Sequence, residues 1–143
     1  MGTILGNTTA SATKYINFED VLCAISQKAT IINTLHKNKQ SCLIHGTIPA
    51  DDEETYINHL LENSASDAVQ HIIIVIYGEN AGDASVEKKY NQLRSLGFAR
   101  VYIYRGGLFE WILLQNIYGC EKIPTTAPEK DILKYVGTHR ISH

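Results

Sequence analysis

Seven residues in mid-chain, Gly78-Glu79-Asn80-Ala81-Gly82-Asp83-Ala84, are where chemistry is expected first. They follow a continuous apolar, β-branched run, Ile72 to Tyr77, short enough for a strand and rich enough to be buried on both faces. They lead into an amphipathic segment that starts near Ser85. A strand that ends at a glycine-containing turn into a helix N-terminus is where α/β proteins usually hold a ligand. The stretch carries two carboxylates, Glu79 and Asp83, and no Cys, His, Lys or Arg. It therefore offers neither thiol nor imidazole. Near the positive end of a helix dipole, two acids are expected to satisfy the N–H groups there and to repel an anion. Their alternative use is recognition of a cation or of a partner's basic segment. Acid–base chemistry by the pair would need a positioned sugar or phosphate groove, which no motif supplies.

Chemistry from elsewhere in the chain has little support. Cys23, Cys42 and Cys120 are odd in number and far apart, and they form no CxxC or Cys/His ligand spacing. Neither a disulfide framework nor a zinc site follows, and a reducing compartment is the default. Of the six histidines, His139 and His143 are four apart, but in a tail where helix is doubtful. Asp51, Asp52, Glu53 and Glu54 follow Pro49 and read as the acidic first turn of a helix. No cofactor or metal is expected. Gly2 after Met1 is a permissive acceptor for myristoylation, although Gly6 stands where Ser or Thr is usual.

The elements that must position the loop are legible from periodicity. A short strand is expected at Lys14–Phe18, a helix at Glu19–Lys28, and a buried strand at Ala29–Leu35. Cys42–Ile48 reads as a third strand, and a helix opens at Pro49–Asp52 with Tyr56, Ile57, Leu60 and Leu61 on its apolar face. After a polar break at Asn63–Asp67 come the central strand, a helix from Ser85 to about Leu96 capped by Gly97, and a last strand at Ala99–Tyr104. Arg105-Gly106-Gly107 is a turn, and Leu108–Tyr118 is a strongly apolar helix ended by Gly119. The remainder wraps the surface, with a last turn around Asp131–Tyr135. Alternating strands and helices predict a mostly parallel, roughly five-stranded sheet with helices on both faces. The chain is read as a tail over 1–13, one domain over 14–124 and a C-terminal extension over 125–143. Apolar content is 44% and formal net charge −2 over 143 residues, without a basic stripe, so nucleic acid is not a favoured partner. No run of about 18 apolar residues exists to span a membrane.

Ile31–Leu35, Leu43–Ile48, Val75–Tyr77 with the following loop, and Val101–Gly107 with Trp111, taken in that order, resemble a single rhodanese-like, sulfurtransferase-type domain. Ile31-Ile32-Asn33-Thr34-Leu35 sits where that family has a strand ending in Asp-Val-Arg. Leu43-Ile44-His45-Gly46-Thr47-Ile48 is similar to its His-Ile-Pro-Gly-Ala-Ile. Val75-Ile76-Tyr77 with the following loop resembles the strand that carries the catalytic Cys. Val101 to Gly107, with Trp111 four residues on, resembles its closing strand, Gly-Gly turn and Trp-bearing helix.

The resemblance implies an α/β domain in which Gly78 stands at the nucleophile's position and Asn33-Thr34-Leu35 replaces the charged pair. Sulfur transfer needs a thiolate of depressed pKa, and glycine supplies none. The implied function is a non-catalytic, cytoplasmic binding or regulatory module with an unidentified protein partner. The membrane would be involved only through myristoylated Gly2. The alternative is a sulfurtransferase that uses a displaced cysteine.

Overall fold

From Tyr15 to Tyr118, strands and helices alternate along the chain. A computed structural model describes residues 14–137 and Ile141; Gly2, His139 and His143 lie outside them. The order is β1 (Tyr15–Ile16), α1 (Phe18–Ser26), β2 (Thr30–Asn33), a 3-10 turn (Lys37–Lys39), β3 (Thr47–Ile48), α2 (Ala50–Asn63), α3 (Ser66–Val69), β4 (Ile73–Tyr77), α4 (Ser85–Ser95), β5 (Arg100–Tyr104), α5 (Gly107–Tyr118) and a second 3-10 turn (Ile132–Tyr135). The five strands form one sheet in the order β1-β5-β4-β2-β3, with every pairing parallel.

Side-chain alternation along the central strands divides the core in two. Ile31, Val75, Tyr77 and Tyr104 face a layer made by Val21 and Ala24 of α1 and by Leu108, Trp111 and Ile112 of α5. Ile32, Ile74, Ile76, Val101 and Ile103 face Ile57 of α2, Val69 of α3, and Val86 and Leu93 of α4. The fold is therefore a parallel sheet with helices on both faces, and Trp111 lies in its core, fully buried.

Local chemistry sets the ends of the elements. Asn17 starts α1 with a reciprocal capping box: its Oδ1 accepts the Asp20 N–H at 3.0 Å and its N–H reaches Asp20 Oδ2 at 3.1 Å. Asp51, Asp52 and Glu53 occupy the first turn of α2. Gly97, with φ +108°, ends α4.

Two expectations about elements need correction. Residues 42–46 are not strand. Gly46 has φ +87° and turns the chain, so only Thr47–Ile48 pairs with β2. Ile44 instead bridges antiparallel to Thr125, the Leu43 carbonyl accepts the Thr126 N–H at 2.7 Å, and the His45 N–H reaches the Pro124 carbonyl at 3.1 Å. The polar break after α2 is also shorter than expected, because α3 starts inside it at Ser66 and runs on to bury Val69.

The segment beyond α5 packs closely on the domain. Ile123 and Tyr135 are fully buried. Trp111 Nε1 donates to the Pro124 carbonyl at 2.9 Å, and Cys42 Sγ to the Ala127 carbonyl at 3.3 Å. No helix among the described residues is long and apolar enough to cross a membrane.

Candidate functional site

The chain leaves β4 at Tyr77 and turns toward α4 and then β5, whereas it leaves β2 toward β3 on the other side. A parallel sheet opens a crevice between two neighbouring strands whose connections diverge in this way. Residues 78–84 lie at the crevice's β4 side and Thr34 at its β2 side. The Thr34 N–H donates to the Tyr77 carbonyl at 3.0 Å, so the two strands remain bonded up to the mouth.

Gly78 is buried, and the space around its Cα is already filled. A Cβ built there would collide with Asp83 Oδ2 and lie 2.7 Å from both Asp83 Cγ and Val86 Cγ2. Asp83 has turned back under the loop. Its Oδ2 accepts the Thr34 hydroxyl at 3.1 Å and the Glu79 N–H at 3.2 Å. Its Oδ1 accepts the Ser85 N–H at 3.0 Å and also the Ser85 hydroxyl. One carboxylate thus bonds to the end of β2, the start of the loop and the first residue of α4. Asp83 satisfies an N–H at the start of α4, as expected of an acid there. Glu79 does not: it is ion-paired with Lys39 at 2.6 Å, across 40 positions of sequence.

The other loop residues are held from outside. Asn80 Nδ2 donates to the Tyr135 carbonyl at 2.9 Å, and its Oδ1 accepts the Gly82 N–H at 2.9 Å. The first turn of α5 donates into the loop, Leu108 N–H to the Gly78 carbonyl at 2.9 Å and Phe109 N–H to the Glu79 carbonyl at 2.8 Å. This approach requires Gly107. Its φ is +68°, and a Cβ there would lie 2.6 Å from the Gly78 carbonyl oxygen and 2.9 Å from the Asn80 nitrogen. Ala81, Gly82 and Ala84 are exposed. They line two shallow depressions, one on each side of the loop. One of ≈ 210 Å³ is closed by Tyr15, Glu87, Tyr104 and Arg105, and one of ≈ 500 Å³ by Phe109 and Gly137.

Near the smaller depression, Lys14 and Glu87 are paired within the chain. Lys14 Nζ and Tyr15 Oη both bond to Glu87, at 2.9 and 3.0 Å, and the Arg105 guanidinium lies 5.0 Å from the Tyr15 ring centre. The Lys14 bond holds the Glu87 carboxyl below its ordinary range and the Lys14 ammonium above its own. Tyr77, the last residue of β4, carries a hydroxyl, but it accepts the Ile44 N–H at 3.0 Å and meets Thr47 Oγ1 at 2.8 Å. Burial pushes its pKa well up, so it remains a neutral structural group.

None of the cysteine side chains hydrogen-bonds to the loop or lines the depressions beside it. Cys23 is exposed in a groove shared with Ile73 and Arg100, which begin β4 and β5, whereas the loop follows the end of β4. Cys42 is buried and burial raises its pKa, which suppresses the reactive thiolate. Cys120 is exposed just beyond α5, whose opposite end touches the loop; a helix of 12 residues separates its ends by about 18 Å. No group of three or more His, Cys, Asp or Glu side chains among the described residues is arranged to hold a metal ion.

Sequence reasoning did not find Lys39, Thr34 as an Asp83 ligand, or Tyr135 as an Asn80 partner. All three act across more than 39 positions, and no local pattern announces such contacts.

A parallel α/β sheet with a strand–loop–helix crevice defines a broad class. Comparison with known proteins narrows it. The family model described as a rhodanese-like domain matches residues 27–114, and the chain belongs to that family. Solved structures share the fold. A Lactobacillus plantarum protein is 22% identical, with 80% of this chain and 94% of that one covered and a TM-score of 0.56. The BH2092 protein of Bacillus halodurans is 15% identical over 80% and 82% of the two chains, with a TM-score of 0.57. The Alr3790 protein of Anabaena is 22% identical over 83% and 97%, with a TM-score of 0.53. No curated protein matches the sequence.

Proposed function

We propose that this chain is a catalytically inactive rhodanese-like domain that serves as a protein-binding or regulatory module in a reducing, cytoplasmic setting. One observation carries the reading: Gly78 follows β4 where the resemblance calls for a nucleophilic thiol, and the Asp83 carboxylate fills the space beside it. Sulfur transfer proceeds through attack of a thiolate and a covalent sulfur intermediate. The loop has no atom that can carry that sulfur, and a carboxylate faces the position where an anionic donor would arrive.

The loop is nevertheless braced by α5, Lys39 and Tyr135, as suits a surface that must keep its shape. Exposed Cys23 and Cys120, both free thiols, favour a reducing compartment. The Lys39 ion pair of Glu79 and the hydrogen bonds that engage Asp83 argue against strong recognition of a basic partner by the loop itself. Shape and the exposed Ala81-Gly82 tip are the better candidates for contact.

The test is sulfur transfer from thiosulfate to cyanide by the purified chain, with and without prior thiol alkylation. The reading predicts the background rate in both cases. Turnover that alkylation abolishes would favour the displaced-cysteine sulfurtransferase. Replacing Cys23, Cys42 and Cys120 by serine one at a time would then locate the nucleophile.

A further inference from the structure

Gly78 and Asp83 behave as one unit. β4 directs any side chain at position 78 into the concave side of the loop, and that space holds Asp83 Oδ2 and Cγ with Val86 Cγ2 behind them. The carboxylate has little freedom to withdraw. Its donors come from Thr34 at the end of β2, from the Glu79 amide and from Ser85 at the start of α4. Moving it breaks bonds to three segments together. Val86 is β-branched on a helix and has little rotamer freedom of its own.

We infer that Asp83 seals the loop from within. The seal occupies the side-chain space at position 78 and engages N–H groups on the concave side, so it excludes a nucleophile and an anionic ligand together. This deepens the non-catalytic reading and rests on it. The missing thiol is then only half of the reason the loop is inert. Restoring a thiol by Gly78→Cys alone leaves it pressed against a carboxylate, which holds it protonated.

A mutant cycle in the full chain tests the seal. Gly78→Ala is made in the native chain and in a chain carrying Asp83→Ala and Val86→Ala, and each is unfolded in urea. The seal predicts that Gly78→Ala lowers the folding equilibrium constant by about a hundredfold in the native chain and by less than about tenfold in the cleared one. An equal penalty in both chains overturns it. If Gly78→Ala does not fold in the native chain, folding in the cleared one upholds the coupling, and failure in both overturns it.

A second reading uses Gly78→Cys in the same two chains. Iodoacetamide labelling at pH 7 is followed on the peptide that contains position 78. Labelling at least about tenfold faster in the cleared chain is expected, because loss of the carboxylate and exposure of the loop amides lower the thiol pKa. Equal rates overturn the seal. The two proposals fail separately. Alkylation-sensitive turnover by the native chain sinks the non-catalytic reading, whereas an additive cycle in a silent chain sinks only the seal.

Discussion

Gly107 has the least tolerance for change of any residue at the site. It combines a left-handed backbone with a carbonyl oxygen 2.6 Å from where its Cβ would be, and it lets α5 donate to the loop. Gly107→Ala should therefore cost about 3 kcal/mol of stability in urea unfolding, well beyond ordinary glycine substitution. A loss below about 1 kcal/mol would mean that α5 does not press on the loop as described. Identities at the site were legible from the chain: Gly78 after an apolar strand, two acids in the loop, Gly-Gly before the Trp-bearing helix. Orientation was not. Nothing local distinguishes Asp83, folded inward onto Thr34 and the Glu79 amide, from Glu79, drawn outward to Lys39. Both are acids near a helix start, and the difference is set by which partner the tertiary fold delivers.

Among the elements, β1 is only two residues long and is tied to α4 through side chains. Lys14, just before β1, and Tyr15 within it both bond Glu87 of α4. The folded Glu87 carboxyl lies below its ordinary range, chiefly because of Lys14. Its contribution is therefore complete above the unfolded value near 4.3 and is lost as pH falls through the folded value. The pair is partly exposed, so its worth is below about 1 kcal/mol. Urea unfolding at pH 7 and pH 3 should show a smaller acid loss for Glu87→Gln than for the native chain. An identical loss would remove this pair from the account. The long elements were legible because helical periodicity is sustained in them and, in α4, agrees with the Gly97 cap. Residues 42–46 were misread because Cys42-Leu43-Ile44 is a short apolar run of the kind a buried strand shows. The positive φ of Gly46 and the bridge from Ile44 to Thr125 override that pattern through contacts 81 positions away.

For the molecule as a whole, the strand–helix alternation and the buried β4 run were enough to read a parallel sheet covered on both faces. Four weak motifs in order carried the family. The C-terminal segment was harder to read. It has few periodic apolar residues, yet it buries Ile123 and Tyr135 and supports Asn80 through the Tyr135 carbonyl. Inertness toward sulfur is a property of the whole chain, because a nucleophile absent from the loop has to be absent elsewhere too. It is tested most directly by the covalent intermediate that sulfur transfer requires. The native chain should be incubated with excess thiosulfate and its intact mass measured before and after addition of cyanide. The expected result is an unchanged mass throughout. A one-sulfur increment that maps to a cysteine and is discharged by cyanide would contradict it.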